Sequence, residues 1–226
     1  MIEDLVTVKR SKRAKRVALR LDPIERVINL VVPERMSLDK AYFFAAEHED
    51  WVRDTLGKLA PATPFTHGTT LPIFGDHITL NIQRDASLKR TTLKLENDVL
   101  NIKTYLDDPT NRITAYLKKV AQSGLADMAS EKAESIDKII KSVSVRDTKS
   151  RWGSCSGDRT ISFSWRLIFA PYEAIDYVVA HEVAHLVHMD HSKSFWSLCR
   201  KLSLNYVDGK YWMQNHGNDL MGYGKI

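Results

Sequence analysis

Residues 171–196, PYEAIDYVVAHEVAHLVHMDHSKSFW, are the stretch on which the reading of the fold turns. Pro171 suits the first turn of a helix and Glu173 the positive end of its dipole. Ile175, Val178, Val179, Val183 and Leu186 give that helix a buried apolar side. On it His181 and His185 stand four residues apart, so their imidazoles leave one face a single turn apart. Both can then reach one ion at the roughly 2.0–2.1 Å of zinc–nitrogen bonds. Glu182 follows the first histidine and faces the same cleft at another angle, where its carboxylate can act as general base toward a metal-activated water.

Two residues compete to be the third ligand. His188 shares the helical face of His181 but lies roughly 10.5 Å along the axis from it, so an unbroken helix carries it past an ion held between His181 and His185. His191 reaches back only if the helix ends after His185. Asp190 is one of the few non-glycine residues that tolerate a left-handed turn there, and Ser192 can cap the next helix, KSFWSLCRKL. The expected ligand set is therefore His181, His185 and His191; His188 and Tyr177 are candidates for groups supporting the ligands, core being the plainer reading of Tyr177. A fourth position left to water or substrate marks a catalytic Zn2+ site, whereas Cys155 or Cys199 completing the set would make a closed structural one.

Working outward, the strand ISFSWRLIF precedes this helix and DTKSRWGSCSGDRT precedes that strand. Lys149 and Arg151 in a Gly-Ser-rich turn are candidates for stabilising an oxyanion or binding substrate. A solvated surface turn is the plainer reading of both, and Trp152, Trp165, Phe195 and Trp196 read as core. Asp108-Pro109 opens a helix running to about Glu134, followed by a strand near 139–145. Residues 5–33 alternate as strands, with a turn at Asp22-Pro23. Ser37 caps a single helix ending near Gly57, and residues 65–103 return to strand character with turns at Phe74-Gly75-Asp76 and Glu96-Asn97-Asp98. The expectation is an α+β protein with a β-rich region carrying one helix at 1–105 and a metal-binding catalytic domain at 106–226.

Composition bounds the rest. The chain has 226 residues, 43% of them hydrophobic and 27% charged, which suits a folded core and argues against wholesale disorder. No apolar run approaches the roughly 18 residues that cross a bilayer, so no membrane partner is expected. The opening MIEDLVTVKRSKRAKRVALRL lacks a signal-type apolar core, and two cysteines make no disulfide framework, so a cytoplasmic location is expected. The net charge of +5 gathers in Lys9, Arg10, Lys12, Arg13, Lys15, Arg16 and Arg20. Such a cluster can attract phosphates or nucleic acid, although no aromatic residues interleave it to stack bases.

The segment SVRDTKSRWGSCSGDRTISFSWRLIFAPYEAIDYVVAHEVAHLVHMDHSKSFW, with VKRSKRAKRVALRL and TPFTHGTTLPIFGDHITL upstream, resembles the YgjP-like metallopeptidase family over roughly residues 7–215. The resemblance implies a minimal zincin fold, related to SprT-like and WLM proteases, in the C-terminal half. It also implies zinc on His181, His185 and His191 with Glu182 catalytic. Where the family usually has Asn before the third histidine, this chain has Asp190. The function expected is a zinc-dependent hydrolase acting on peptides or proteins. Two alternatives stand beside it: a metal-dependent nucleotide pyrophosphatase of the UTP type, and a non-catalytic zinc-containing nucleic-acid-binding module.

Overall fold

In the computed structural model, which describes residues 1–148 and 150–225, the alternating residues of the first 33 positions become three strands, β1 (Val6–Ser11), β2 (Ala18–Asp22) and β3 (Val27–Pro33). Asp22 Oδ1 accepts from the backbone N–H groups of Ile24 and Glu25, which turns the chain from β2 into antiparallel β3. β1 lies parallel to β3 on its other edge. Ile28, Leu30 and Val32 of β3 are fully buried with Ala41, Ala45 and Val52 of the helices that follow. The basic cluster is partly structural, because the Arg10 guanidinium donates to the carbonyls of Pro33, Glu34 and Met36. The single helix expected from Ser37 is two, α1 (Leu38–Ala46) and α2 (Glu49–Gly57). His48 separates them: its N–H donates back to the Ala45 carbonyl, and its backbone (φ −117°, ψ 20°) leaves the helical region.

The chain divides into two compact units, Met1–Pro61 and Ala62–Ile226. A boundary at 105/106 falls inside the second unit, and its core is the reason. Strands β4 (Thr70–Ile73), β5 (Asp76–Arg84), β6 (Thr92–Glu96) and β7 (Val99–Thr104) form a sheet ordered β4-β5-β7-β6. Its inward residues Leu71, Leu80, Leu100 and Ile102 share one apolar core with the helix α3 (Thr110–Glu134). Both hairpin loops fall where the sequence placed turns. Phe74-Gly75 and Asn97-Asp98 each take two successive positive φ angles, the primed turns that match the twist of paired strands. On α3, Ile113, Leu117, Ala121, Leu125, Ala129 and Ala133 recur every fourth residue as one buried stripe.

A second sheet in this unit, ordered β8-β10-β9, comprises β8 (Ser142–Arg146), β9 (Gly153–Cys155) and β10 (Thr160–Ser164). The expected turn at Gly153-Ser154-Cys155 is thus an edge strand, held antiparallel by β10. β10 gives way to a 3-10 turn over Trp165–Phe169, so the strand expected to reach Phe169 stops at Ser164. Helix α4 (Tyr172–Ala184) then runs beside α3, β9 and the later helices α5 (Lys193–Leu202) and α6 (Tyr206–His216). Nine of its thirteen residues are buried, which is why its apolar pattern goes nearly all the way round. Asp176 of α4 is buried with them, paired with Lys132 of α3 at 2.5 Å and accepting from Ser203 Oγ at 2.6 Å. Among the described residues, no helix is long and apolar enough to cross a membrane.

Candidate metal centre

α4 ends at Ala184 with His185 as its C-cap, and a turn over 185–187 followed by a bend at 189–190 brings the chain back so that His191 meets the helix again. No residue between 185 and 191 takes a positive φ, so the left-handed turn expected at Asp190 is not how the reversal is made. Asp190 instead accepts from the N–H of Ser192 through Oδ1, and Ser192 Oγ caps α5 by accepting from the Phe195 N–H. His181, His185 and His191 are brought together, each offering a ring nitrogen, and the three nitrogens lie within 4.8 Å of one another. Neither cysteine joins this cluster among the described residues: Cys199 is fully buried, and Cys155 sits on β9.

The donor set fits a tetrahedral metal ion. Nε2 of His181 and Nε2 of His191 stand 3.2 Å apart, close to the roughly 3.3 Å that separates two nitrogens on one zinc ion. His185 Nδ1 lies 2.9 Å from the carbonyl of His188; donating there fixes the ring and leaves the Nε2 lone pair for the ion. His188 thus supports the site through its backbone. Burial, reinforced by neighbouring His185 and His191 and by Lys210, lowers the pKa of His181 to about 4, so its imidazole is neutral at pH 7. His185 is lowered as well, chiefly by burial. His181 Nδ1 is buried without a hydrogen-bond partner among the described residues.

Glu182 is 5% exposed, beneath Gly153 of β9. Burial pushes its carboxyl up to about 8, while the nearby Arg151 guanidinium pulls the other way. A cleft of about 300 Å3 opens beside it, walled by Arg151 and Gly153 on one side, by Tyr177 and His181 of α4, and by Lys210 and Met213 of α6. The Tyr177 ring lies edge-on to His181 at 6.1 Å, and burial raises its hydroxyl pKa. Arg151 is exposed at the rim, and Lys149 lies outside the described residues.

The sequence profile of the YgjP-like metallopeptidase domain matches residues 15–216. The chain belongs to the YgjP-like family. Comparison with curated proteins finds no match. Among solved structures, the metallopeptidase zymogen of Pyrococcus abyssi abylysin is similar at 22% identity over 40% of this chain and 92% of that one, with a TM-score of 0.36. Membership makes this YgjP-like protein a hydrolase of the metallopeptidase type.

Three site residues of the YgjP-like chain escaped sequence reasoning. Phe195, read as core, is fully buried and its ring lies 4.5–4.9 Å from all three imidazoles. It gives them a common apolar floor, and its i+4 position after the third histidine was the available signal. Gly153 is the second: a Cβ there would fall 2.5 Å from Cγ and Oε1 of Glu182, so only glycine leaves room for the carboxylate. Lys210 is the third, and nothing local in the sequence marks it.

Proposed function

We propose that this protein is a zinc peptidase in which His181, His185 and His191 hold the ion and Glu182 is the general base. The observation that carries the reading is a buried carboxylate beside three clustered imidazoles, under the edge of a β-strand. When bound, zinc supplies the Lewis acidity that brings the pKa of water from about 15.7 to near 7. Beside a dication the Glu182 carboxyl ionises despite its burial, takes the proton from water and returns it to the leaving amine. Arg151, at the rim, supplies positive charge toward the developing oxyanion.

The edge strand supports a peptide substrate. Ser164 N–H donates to the Trp152 carbonyl and Ser156 N–H to the Thr160 carbonyl, which fixes the antiparallel alternation. The backbone groups of Gly153 and Cys155 therefore face away from β10. An extended peptide can add there as a further strand, with its carbonyl carbon over the cleft.

The test is elemental analysis of the purified protein together with hydrolysis of unstructured peptides. About one zinc per chain is expected, kept in His188→Ala and Glu182→Gln and lost in His191→Ala. Peptide hydrolysis should vanish in Glu182→Gln. A parent that takes up no zinc on reconstitution, or a Glu182→Gln variant of parental activity, would overturn the reading.

A further inference from the structure

A second pocket adjoins the metal cleft on its α5–α6 side, and Lys210 lines both. Its walls are Lys193, Trp196, Arg200, Tyr206 and Lys210, so it carries three cations and no acid. None of the three forms an ion pair with any described residue. Two of the three pocket cations are held instead by rings: Lys210 Nζ lies 5.0 Å from the Trp196 centroid and 5.8 Å from that of Tyr206, and the Arg200 guanidinium lies 5.2 Å from Tyr206. Aromatic faces fix the positions of these charges without cancelling them, which is what a site for an anion requires.

We propose that this pocket is a subsite for an acidic side chain of the peptide substrate. The inference rests on the peptidase reading for the identity of the ligand, and on the uncompensated charge for its sign. Adjacency places the subsite. Trp196, which floors the pocket, also stacks on the third histidine, His191, at 5.5 Å and 29°, so an anion seated there is within a few residues of a peptide carbonyl at the metal centre. The same stack disfavours a nucleotide as occupant. The Trp196 ring is already engaged by His191 and by Lys210, which leaves it less available for stacking on a base. A carboxylate needs only the ammonium and guanidinium donors, and charge-assisted bonds to them are the strong class of hydrogen bond.

Quenched fluorescent peptides identical except for one flanking position, carrying Glu, Gln or Lys in turn, test this on the zinc-loaded protein. Cleavage is read as kcat/KM, and binding to the zinc-loaded Glu182→Gln variant is read in parallel by anisotropy. At one flanking position the Glu peptide should be preferred over the Gln peptide by about tenfold, with the Lys peptide worst. Arg200→Gln and Lys210→Gln should each shrink the ratio of Glu to Gln peptides, and R200E/K210E should invert the order of Glu and Lys. The ratio is unaffected by an overall loss of rate, and zinc content and thermal unfolding of each variant show that it has folded. Cleavage of all three peptides alike, unchanged in Arg200→Gln and Lys210→Gln, overturns the subsite while leaving the peptidase. A parent that cleaves none but binds the Glu peptide best, with binding weakened in Lys210→Gln, overturns the peptidase reading and keeps the acid subsite. A parent that neither cleaves nor discriminates overturns both.

Discussion

Replacing Gly153 by alanine adds one methyl group at the point where β9 covers Glu182. The new Cβ would stand 2.5 Å from Cγ and Oε1 of Glu182 and 2.7 Å from its Cδ, whereas carbon atoms in contact settle at about 3.5–4.0 Å. Gly153 does not have a positive φ, so alanine meets no backbone strain and by chain entropy alone would stabilise by about 0.4–1 kcal/mol. The clash decides the sign. Either the carboxylate retreats by about 1 Å or β9 lifts from α4, and overpacking of this kind costs about 1–3 kcal/mol. A misplacement of that size lowers kcat about 100-fold. The three imidazoles are not touched, so zinc content should stay at one per chain. Thermal unfolding, elemental analysis and peptide hydrolysis on one preparation read all three quantities. Glu182→Asp shortens the side chain, so adding it to Gly153→Ala should restore part of the lost stability without restoring rate. A Gly153→Ala protein as stable and active as the parent would refute the placement of Glu182, and loss of zinc would show that Gly153 acts on the triad instead.

The metal-free protein should lose stability between pH 6.5 and 8. Glu182, raised from an ordinary 4.5 to about 8, stays protonated in the folded chain while the unfolded chain sheds its proton, so stability falls as pH rises from 4.5 to 8. His181, lowered from 6.5 to about 4, acts in the opposite sense but only below pH 6.5. Above that pH the loss is about 2 kcal/mol, at about 1.4 kcal/mol per pH unit; urea unfolding of chelator-treated protein should show it, and Glu182→Gln should remove it. Asp176→Ala leaves the largely buried Lys132 ammonium with only the Leu202 carbonyl and should cost about 3 kcal/mol, a fall in Tm of roughly 10 °C; a fall under about 2 °C would contradict the pairing. Gly209→Ala should be worse than Gly153→Ala for folding, because its Cβ would meet the main-chain carbonyl of Glu173, which cannot swing aside; a soluble variant with parental Tm would count against the α4–α6 packing.

What was legible in the sequence was local. His181, Glu182 and His185 declare themselves because four-residue spacing on a helix is sufficient to bring two imidazoles to one point. His191 is legible through Ser192, whose cap on α5 requires the chain to have left α4 first. Its route was misread: the backbone after His185 keeps negative φ angles, tied by the His188 carbonyl, and Asp190 accepts from the Ser192 N–H instead of twisting. The strand β9 was hidden because Gly-Ser-Cys has little strand preference of its own, and pairing with β10 is what extends it. The division at Pro61 was hidden for a related reason. Strands β4–β7 look like a continuation of β1–β3, and only their burial against α3, reached after position 110, assigns them to the second unit. Lys210 comes from a helix that packs on α4 across nearly thirty residues of chain, a pairing with no local signature.

Two glycines explain how the cleft acquires its charge. Gly153 lets β9 close on α4 at Glu182, and Gly209 lets α6 close on the same helix at Glu173 and Tyr177. Each sits next to the part of its element that bears a cation into the cleft, Arg151 two residues before Gly153 and Lys210 immediately after Gly209. The close approaches and the flanking charges are therefore one arrangement: α4 and the turn that follows it supply the imidazoles and the carboxylate, and the elements drawn tight on either side of α4 supply the positive rims. Widening either approach would move a cation away from the cleft as well as loosening the core. The balance of Glu182 between burial and the Arg151 charge then follows from how near β9 comes to α4, and the lowered pKa of His181 owes part of its shift to Lys210 on the other side.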